Sequence, residues 1–284
     1  MIIWLASYPR SGNTLLRTIL KRCFDRVSYA DEAIHVDSPI RSDSSLVGHR
    51  ELPVPWPEFY AEATALPETW FVKTHLPPRD GQPYIYVVRD GRSAVRSYRK
   101  YYDQYVPEHR PSLYQLIAGD DAYGGWSDHY NAWVDRDGVR GMSVHFEDLH
   151  NIAEADLRAL AEFIGHDGPI TPWSNPFEDL ARVEPGFFRE GAAAFAADDD
   201  WTPLAEHFFR YLHGDLLERL GFAEPGAEPP PEWREFFEWM SSLAQRNRFL
   251  AQACDDRLAL INRLSEEAQA RLDIINRLTP REQA

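Results

Sequence analysis

The 284-residue sequence is poor in cysteine, in lysine and in long apolar runs, and each shortage excludes a class of protein. Its two cysteines, Cys23 and Cys254, stand far apart and suggest neither a disulfide framework nor a metal site. No run of about 18 apolar residues is present, so no membrane-spanning helix is expected. The chain enters a strand within two residues of Met1, without a basic or apolar leader, which points to a soluble, cytoplasmic protein. Acidic residues outnumber basic ones by 45 to 30, a formal net charge of −15 that argues against nucleic acid as a partner. Only three lysines occur, Lys21, Lys73 and Lys100. What is present is the stuff of a folded protein: 44% apolar residues, nine Trp and thirteen Tyr, in a chain long enough for one sizeable core and an appendage.

The segment from Trp4 to Thr14 runs from a short apolar strand through a Pro/Gly turn into the helical pattern Leu15, Leu16, Ile19, Leu20. A turn of this kind gathers free backbone N–H groups at a helix N-terminus, where the helix dipole adds positive charge, and so makes an anion site. Arg10 and the hydroxyls of Ser11 and Thr14 would add donors. The nucleotide-binding pattern Gly-x-x-x-x-Gly-Lys-Ser/Thr is absent. Trp70 to Thr74 is a second strand, ending in Lys73, Thr74 and His75. Tyr84 to Val88 is a third, leading into Arg89 and a helix that carries Ser97. Basic and hydroxyl residues thus collect at the C-terminal ends of three strands, the edge where open α/β sheets bind ligands. The strand–helix alternation predicts an α/β, P-loop-like three-layer sandwich: a central parallel sheet with helices on both faces.

These motifs resemble, in order, those of the cytosolic-type sulfotransferases that use 3′-phosphoadenosine 5′-phosphosulfate (PAPS). Tyr8-Pro-Arg-Ser-Gly-Asn-Thr14 is similar to that family's 5′-phosphosulfate loop. Lys73-Thr-His-Leu-Pro77 matches its catalytic-histidine segment, and Arg89 with Ser97 its 3′-phosphate site. Arg189-Glu-Gly191 resembles its C-terminal Arg-Lys-Gly segment. The resemblance implies PAPS as co-substrate, bound by Arg10, Ser11, Gly12, Asn13, Thr14, Arg89, Ser97, Phe146, Arg189 and Gly191, and no metal. It implies catalysis by His75, as base toward the acceptor hydroxyl, with Lys73 and Arg10 neutralising the sulfuryl and leaving-phosphate oxygens. The chain departs from the family where Arg10 replaces a Lys, Leu15 a Trp that stacks on adenine, Phe146 a Tyr, and Glu190 a Lys. The alternatives are a P-loop-like nucleotide kinase, with Asp90 as a magnesium ligand, or an inactive nucleotide- or partner-binding module.

Residues 25 to 69, rich in proline, read as loops and short helices. Residues 92 to 117 read as helix, as do Trp126 to Asp135, Ala153 to Ile164 and Thr202 to Leu220, with a further strand at Met142 to Phe146. Trp56, Tyr60, Tyr101, Tyr102, Tyr105, Tyr123 and Trp126 are candidate walls for the acceptor, a carbohydrate, glycolipid or small alcohol or phenol. A sulfotransferase domain over 1–222, a Pro-rich linker over 223–231 and a helical extension over 232–284 are expected. In the extension Arg257-Leu-Ala-Leu-Ile-Asn-Arg-Leu264 recurs as Arg271-Leu-Asp-Ile-Ile-Asn-Arg-Leu278. That spacing keeps an apolar stripe in register for a coiled coil and a homo-oligomer, or for a helix packed on its own domain.

Overall fold

A computed structural model describes residues 1–31, 47–176, 200–224, 226 and 229–278. It divides into two units, Met1–Pro231 and Glu232–Ala284. The first unit is built on a five-stranded sheet in the order β2-β3-β1-β4-β5, every pairing parallel. The strands are β1 (Ile2–Ser7), β2 (Ser28–Ala30), β3 (Trp70–Thr74), β4 (Tyr84–Val88) and β5 (Gly141–His145). β1 and β4 are buried along their whole length, as strands covered on both faces must be, and their sequences are accordingly near-continuous apolar runs.

Helix α1 (Asn13–Phe24) follows β1, and α2 (Trp56–Ala65) lies between β2 and β3. On one face, Ile3, Leu5, Phe71, Ile85 and Val87 meet Leu16, Ile19 and Leu20 of α1. On the other, the ring of Trp4 meets Trp56, Tyr60 and Trp133. Strand order reverses between β1 and β4, so the crevice for a ligand opens at the ends of those two strands.

The edge strand β2 lies within the stretch read as loops and short helices. Three residues, Ser-Tyr-Ala, carry too little alternation to announce a strand, and pairing with β3 makes it one. The helix read over 92–117 is interrupted. It becomes α3 (Gly91–Tyr105), a 3₁₀ turn at Pro107–His109 and α4 (Leu113–Ile117). Pro107 disfavours helical backbone at Val106, where φ is −142°, and Ser112 and Gln115 start α4 with a reciprocal capping box. Helix α5 (Trp126–Val134) leads to β5, which is followed at once by α6 (Phe146–His150), so Phe146 starts a helix rather than ending a strand. Helix α7 (Glu154–Ile164) stops at Gly165, with φ 65°, and α8 (Pro203–Arg219) is capped by Thr202, whose hydroxyl accepts from the Ala205 N–H at 3.1 Å. The described residues of the second unit lie in one helix, α9 (Pro231–Leu278). No helix among the described residues is long and apolar enough to cross a membrane.

Candidate active site

The turn between β1 and α1 takes two left-handed residues, Arg10 (φ 65°) and Gly12 (φ 105°). Gly12 is required twice over, because a Cβ there would also lie 2.4 Å from the Phe146 ring. No side chain caps α1, so its first-turn N–H groups face the crevice without an intrahelical acceptor. The Asn13 side chain turns inward, donating to the Leu5 carbonyl at 2.7 Å and to the Ser7 hydroxyl at 3.3 Å. It locks the helix to β1. The Ser11 hydroxyl is buried with no partner.

Arg89, at the end of β4, comes over this loop. Its Nη1 donates to the Arg10 carbonyl at 3.2 Å, and its guanidinium lies 4.4 Å from the centre of the Phe146 ring. Arg10 in turn donates from Nε to the Ser97 hydroxyl at 3.3 Å and sits over the Tyr101 ring. Arg10, Arg89, Ser97 and Phe146, which are far apart in the chain, therefore share one side of the crevice. The Arg89 Nε is buried and unpartnered, and burial lowers that guanidinium's pKa although Glu147 and Asp90 oppose the effect.

The other side is formed by β3. His75 Nδ1 lies 2.7 Å from the Ser7 carbonyl oxygen and 3.3 Å from the Ser7 hydroxyl. A carbonyl can only accept, so Nδ1 carries the proton and Nε2 keeps its lone pair. Burial, then the charge of Lys73, pushes the imidazole pKa well below 6.5, so the ring is neutral. Lys73 is itself pushed down to about 7, first by burial and then by Arg17 and Arg10. His75 is anchored from behind. Its carbonyl oxygen accepts from His129 Nε2 at 2.8 Å, and the buried Tyr86 hydroxyl meets His129 Nδ1 at 2.8 Å.

Aromatic rings form a wall from His75 to Arg10. Tyr123 meets the His75 ring edge-on at 5.9 Å, then Tyr98, Tyr102, Tyr101 and Tyr105 follow in contact along α3. Three of the expected wall residues lie elsewhere. Trp56 and Tyr60 pack on Trp4, with the Tyr60 hydroxyl bound to Asp80, and Trp126 is core, pressed under Gly91 and against Phe209. Arg189 and Gly191 lie outside the described residues.

Asp90 is no magnesium ligand as placed. It caps α3 and is gripped by Arg92, with Oδ2 2.6 Å from Nη2 and Oδ1 3.1 Å from Nε, both residues being buried. Among the described residues no group of three or more His, Cys, Asp or Glu side chains is placed to hold a metal.

The profile of the sulfotransferase domain family matches residues 2–176. The chain belongs to that family. This sulfotransferase-domain chain is similar to Sulfotransferase 1C2 of Oryctolagus cuniculus, 24% identical over 182 residues that cover 57% of each chain. It is also similar to Sulfotransferase 1 family member D1 of Mus musculus, 25% identical over 185 residues covering 59% of this chain and 60% of the relative. The matched region thus spans about three fifths of these relatives' length. Among solved structures, mouse sulfotransferase SULT7A1 complexed with PAP shares the fold, with a TM-score of 0.50 and 17% identity over 84% of this chain and 89% of that one.

Sequence reasoning about this sulfotransferase-domain protein passed over Ser7, Arg17, Tyr86 and His129. Tyr86 and Ser7 are ordinary strand residues in the sequence, and only folding aims them. Arg17 did leave a signal: with Asn13, Leu20 and Phe24 it repeats every three or four residues along the buried face of α1. A cation in an apolar stripe calls for a partner or a ligand.

Proposed function

We propose that the protein transfers the sulfuryl group of PAPS to a hydroxyl of its acceptor. The observation that carries this reading is the hydrogen bond from His75 Nδ1 to the Ser7 carbonyl, 2.7 Å long. It presents a neutral Nε2 between the anion-binding turn and the tyrosine wall. A neutral imidazole so held can take the acceptor proton as the oxygen attacks. Sulfuryl transfer, like phosphoryl transfer, passes through a loose, in-line transition state with charge spread over the outer oxygens. Arg10, Lys73 and the first-turn N–H groups of α1 meet that charge without rearrangement.

Buried unpartnered donors on Ser11 and Arg89 fit a polyanion. Arg89 and Ser97 would hold the 3′-phosphate, with Arg189 and Gly191 completing the grip and Phe146 supporting the adenine end. The solved mouse relative was complexed with PAP, which is adenosine 3′,5′-bisphosphate carried on that same fold. The kinase alternative loses its magnesium ligand to the Asp90–Arg92 pair. The tyrosine wall suits a carbohydrate or phenolic acceptor, since flat apolar faces with hydroxyl rims bind rings of either kind. Helix α9 joins two copies through its stripe of Leu258, Ile261, Leu264, Leu272 and Ile275, each roughly half exposed.

Calorimetric titration with adenosine 3′,5′-bisphosphate, then with ATP and Mg²⁺, tests the reading. Metal-independent binding of the bisphosphate is expected. A preference for ATP with Mg²⁺, or binding of neither, sinks it.

A further inference from the structure

Arg17 is buried, at 5% exposure, and makes one hydrogen bond, from Nε to the Ser28 hydroxyl at 2.8 Å. Its Nη2 is buried without a partner. Ser28 opens β2 and forms a parallel bridge with His49, whose Nδ1 is likewise buried and unpartnered. Ser28 pairs with Phe71, and Ala30 pairs with Lys73. Along a strand alternate residues share a face, so Ser28, Phe71 and Lys73 all face the same side as α1. The charges of Arg17 and Lys73 both bear on the His49 ring and, after burial, lower its pKa.

The Arg17 cation thus meets two groups held toward neutrality, Lys73 and His49, with almost no counter-charge among the described residues. Glu51 comes within 3.9 Å of His49 but is 80% exposed and screened by water. Asp31, which follows β2, is bound to Arg79. A buried guanidinium with unmet donors is costly unless an anion completes it.

The nucleotide does not account for Arg17 and His49. Arg89 and Ser97 lie beyond β4, on the opposite side of β1 from β2. The phosphosulfate belongs at the β1 turn with Arg10 and Lys73. Arg17 reaches into β2, two strands from the turn and away from the 3′-phosphate end. We infer that Arg17, aimed by Ser28 and flanked by His49 and Lys73, forms a subsite for an acidic group carried by the acceptor, so that the substrate is anionic rather than a neutral alcohol. This rests on the sulfotransferase reading and narrows it. A guanidinium fork matches a carboxylate or sulfate ester in both charge and shape.

The test uses the full chain saturated with adenosine 3′,5′-bisphosphate and titrated with 4-nitrophenyl β-D-glucuronide, 4-nitrophenyl β-D-glucoside and 4-nitrophenyl β-D-galactoside 6-sulfate. At least one acidic probe is expected to bind about tenfold or more tightly than the glucoside, as one charge-assisted contact supplies. The two acidic probes tell carboxylate from sulfate ester. Arg17→Gln is expected to erase the preference while the bisphosphate still binds, and Arg17→Lys to keep part of it. Equal binding of all three probes, no binding of either acidic probe in the millimolar range, or a preference that survives Arg17→Gln overturns the inference. Should Arg17→Gln fail to fold, Ser28→Ala removes the group that aims Arg17 and should cut the preference about fivefold; an unchanged preference overturns it equally. Failure of the wild type to bind the bisphosphate removes the sulfotransferase reading instead, and is seen before any probe is added.

Discussion

His75 Nδ1 sits 2.7 Å from the Ser7 carbonyl oxygen, so a backbone acceptor on β1 sets the tautomer of a side chain that follows β3. Strands β1 and β3 are hydrogen-bonded neighbours, with Ala6 level with Thr74, and this register brings the two groups together. His75→Ala is expected to lower the turnover of PAPS-dependent transfer by about 10²- to 10⁴-fold, the usual worth of a general base. Bisphosphate affinity should hold within about twofold, because the nucleotide is gripped elsewhere. Turnover that survives the substitution would remove His75 from the chemistry.

Lys73, held at about 7 by burial and by the Arg17 and Arg10 charges, is largely neutral at pH 8 in the free protein. A bound anion favours the ammonium, so binding at pH 8 draws a proton from solution. Bisphosphate affinity should therefore weaken as pH rises above 7. Calorimetry in buffers of different ionisation enthalpy should report net proton uptake near pH 8, absent in Lys73→Met. The same uptake in that variant would assign the titration to another group.

Because burial and Lys73 hold His75 well below 6.5, its ring is already neutral at the pH where an ordinary histidine is half protonated. If His75 is the base, the acidic limb of kcat/KM, which reports the free protein, should fall well below the ordinary histidine value. A limb centred at 6.5 contradicts the burial argument.

Behind His75, Tyr86→Phe removes the hydroxyl that meets His129 Nδ1 and strands a buried nitrogen. A loss of roughly 1–3 kcal/mol in denaturant unfolding is expected. Turnover should fall several-fold with KM for PAPS unchanged, since His129 holds the His75 backbone and touches no nucleotide group. An altered KM with full turnover would assign Tyr86 to binding.

Asp90 and Arg92 form a buried, doubly bonded pair at the start of α3. Asp90→Ala should destabilise the fold by about 3–5 kcal/mol by leaving Arg92 uncompensated. EDTA should leave bisphosphate affinity as it was; a loss on chelation would restore a metal to the site.

On α9, Ile261→Glu puts a charge into the exposed stripe. Sedimentation is expected to show a lower mass than for the unaltered chain. Equal masses would leave the stripe to another partner.

The order of strands and helices, the turn between β1 and α1 and the residues at the strand ends were legible in the sequence. Buried parallel strands are short apolar runs, and Arg10, Lys73, His75 and Arg89 each stand directly at the end of one or just beyond it. The edge strand β2 was not legible. Its three residues become a strand only because Ser28, Tyr29 and Ala30 find partners on β3. The break after Tyr105 was signalled by Pro107, yet the tyrosines of α3 outweighed it as a helical pattern. Trp56, Tyr60 and Trp126 show the limit of composition, since an aromatic ring that packs a core and one that walls a pocket have the same sequence.

What the sequence determined by itself is local: where strands end, where N–H groups are exposed, and which charges stand beside them. Hydrophobic runs, proline, glycine and helix periodicity act within a few residues and can be read in order along the chain. The tertiary structure alone decided which of these groups meet. The tautomer of His75 depends on a carbonyl 68 residues away, and its anchoring on His129, 54 residues on. The surplus charge of Arg17 is visible only because β2 lies on the opposite side of β1 from Arg89. Such meetings follow from strand order and register, which a parallel sheet sets through contacts between distant segments.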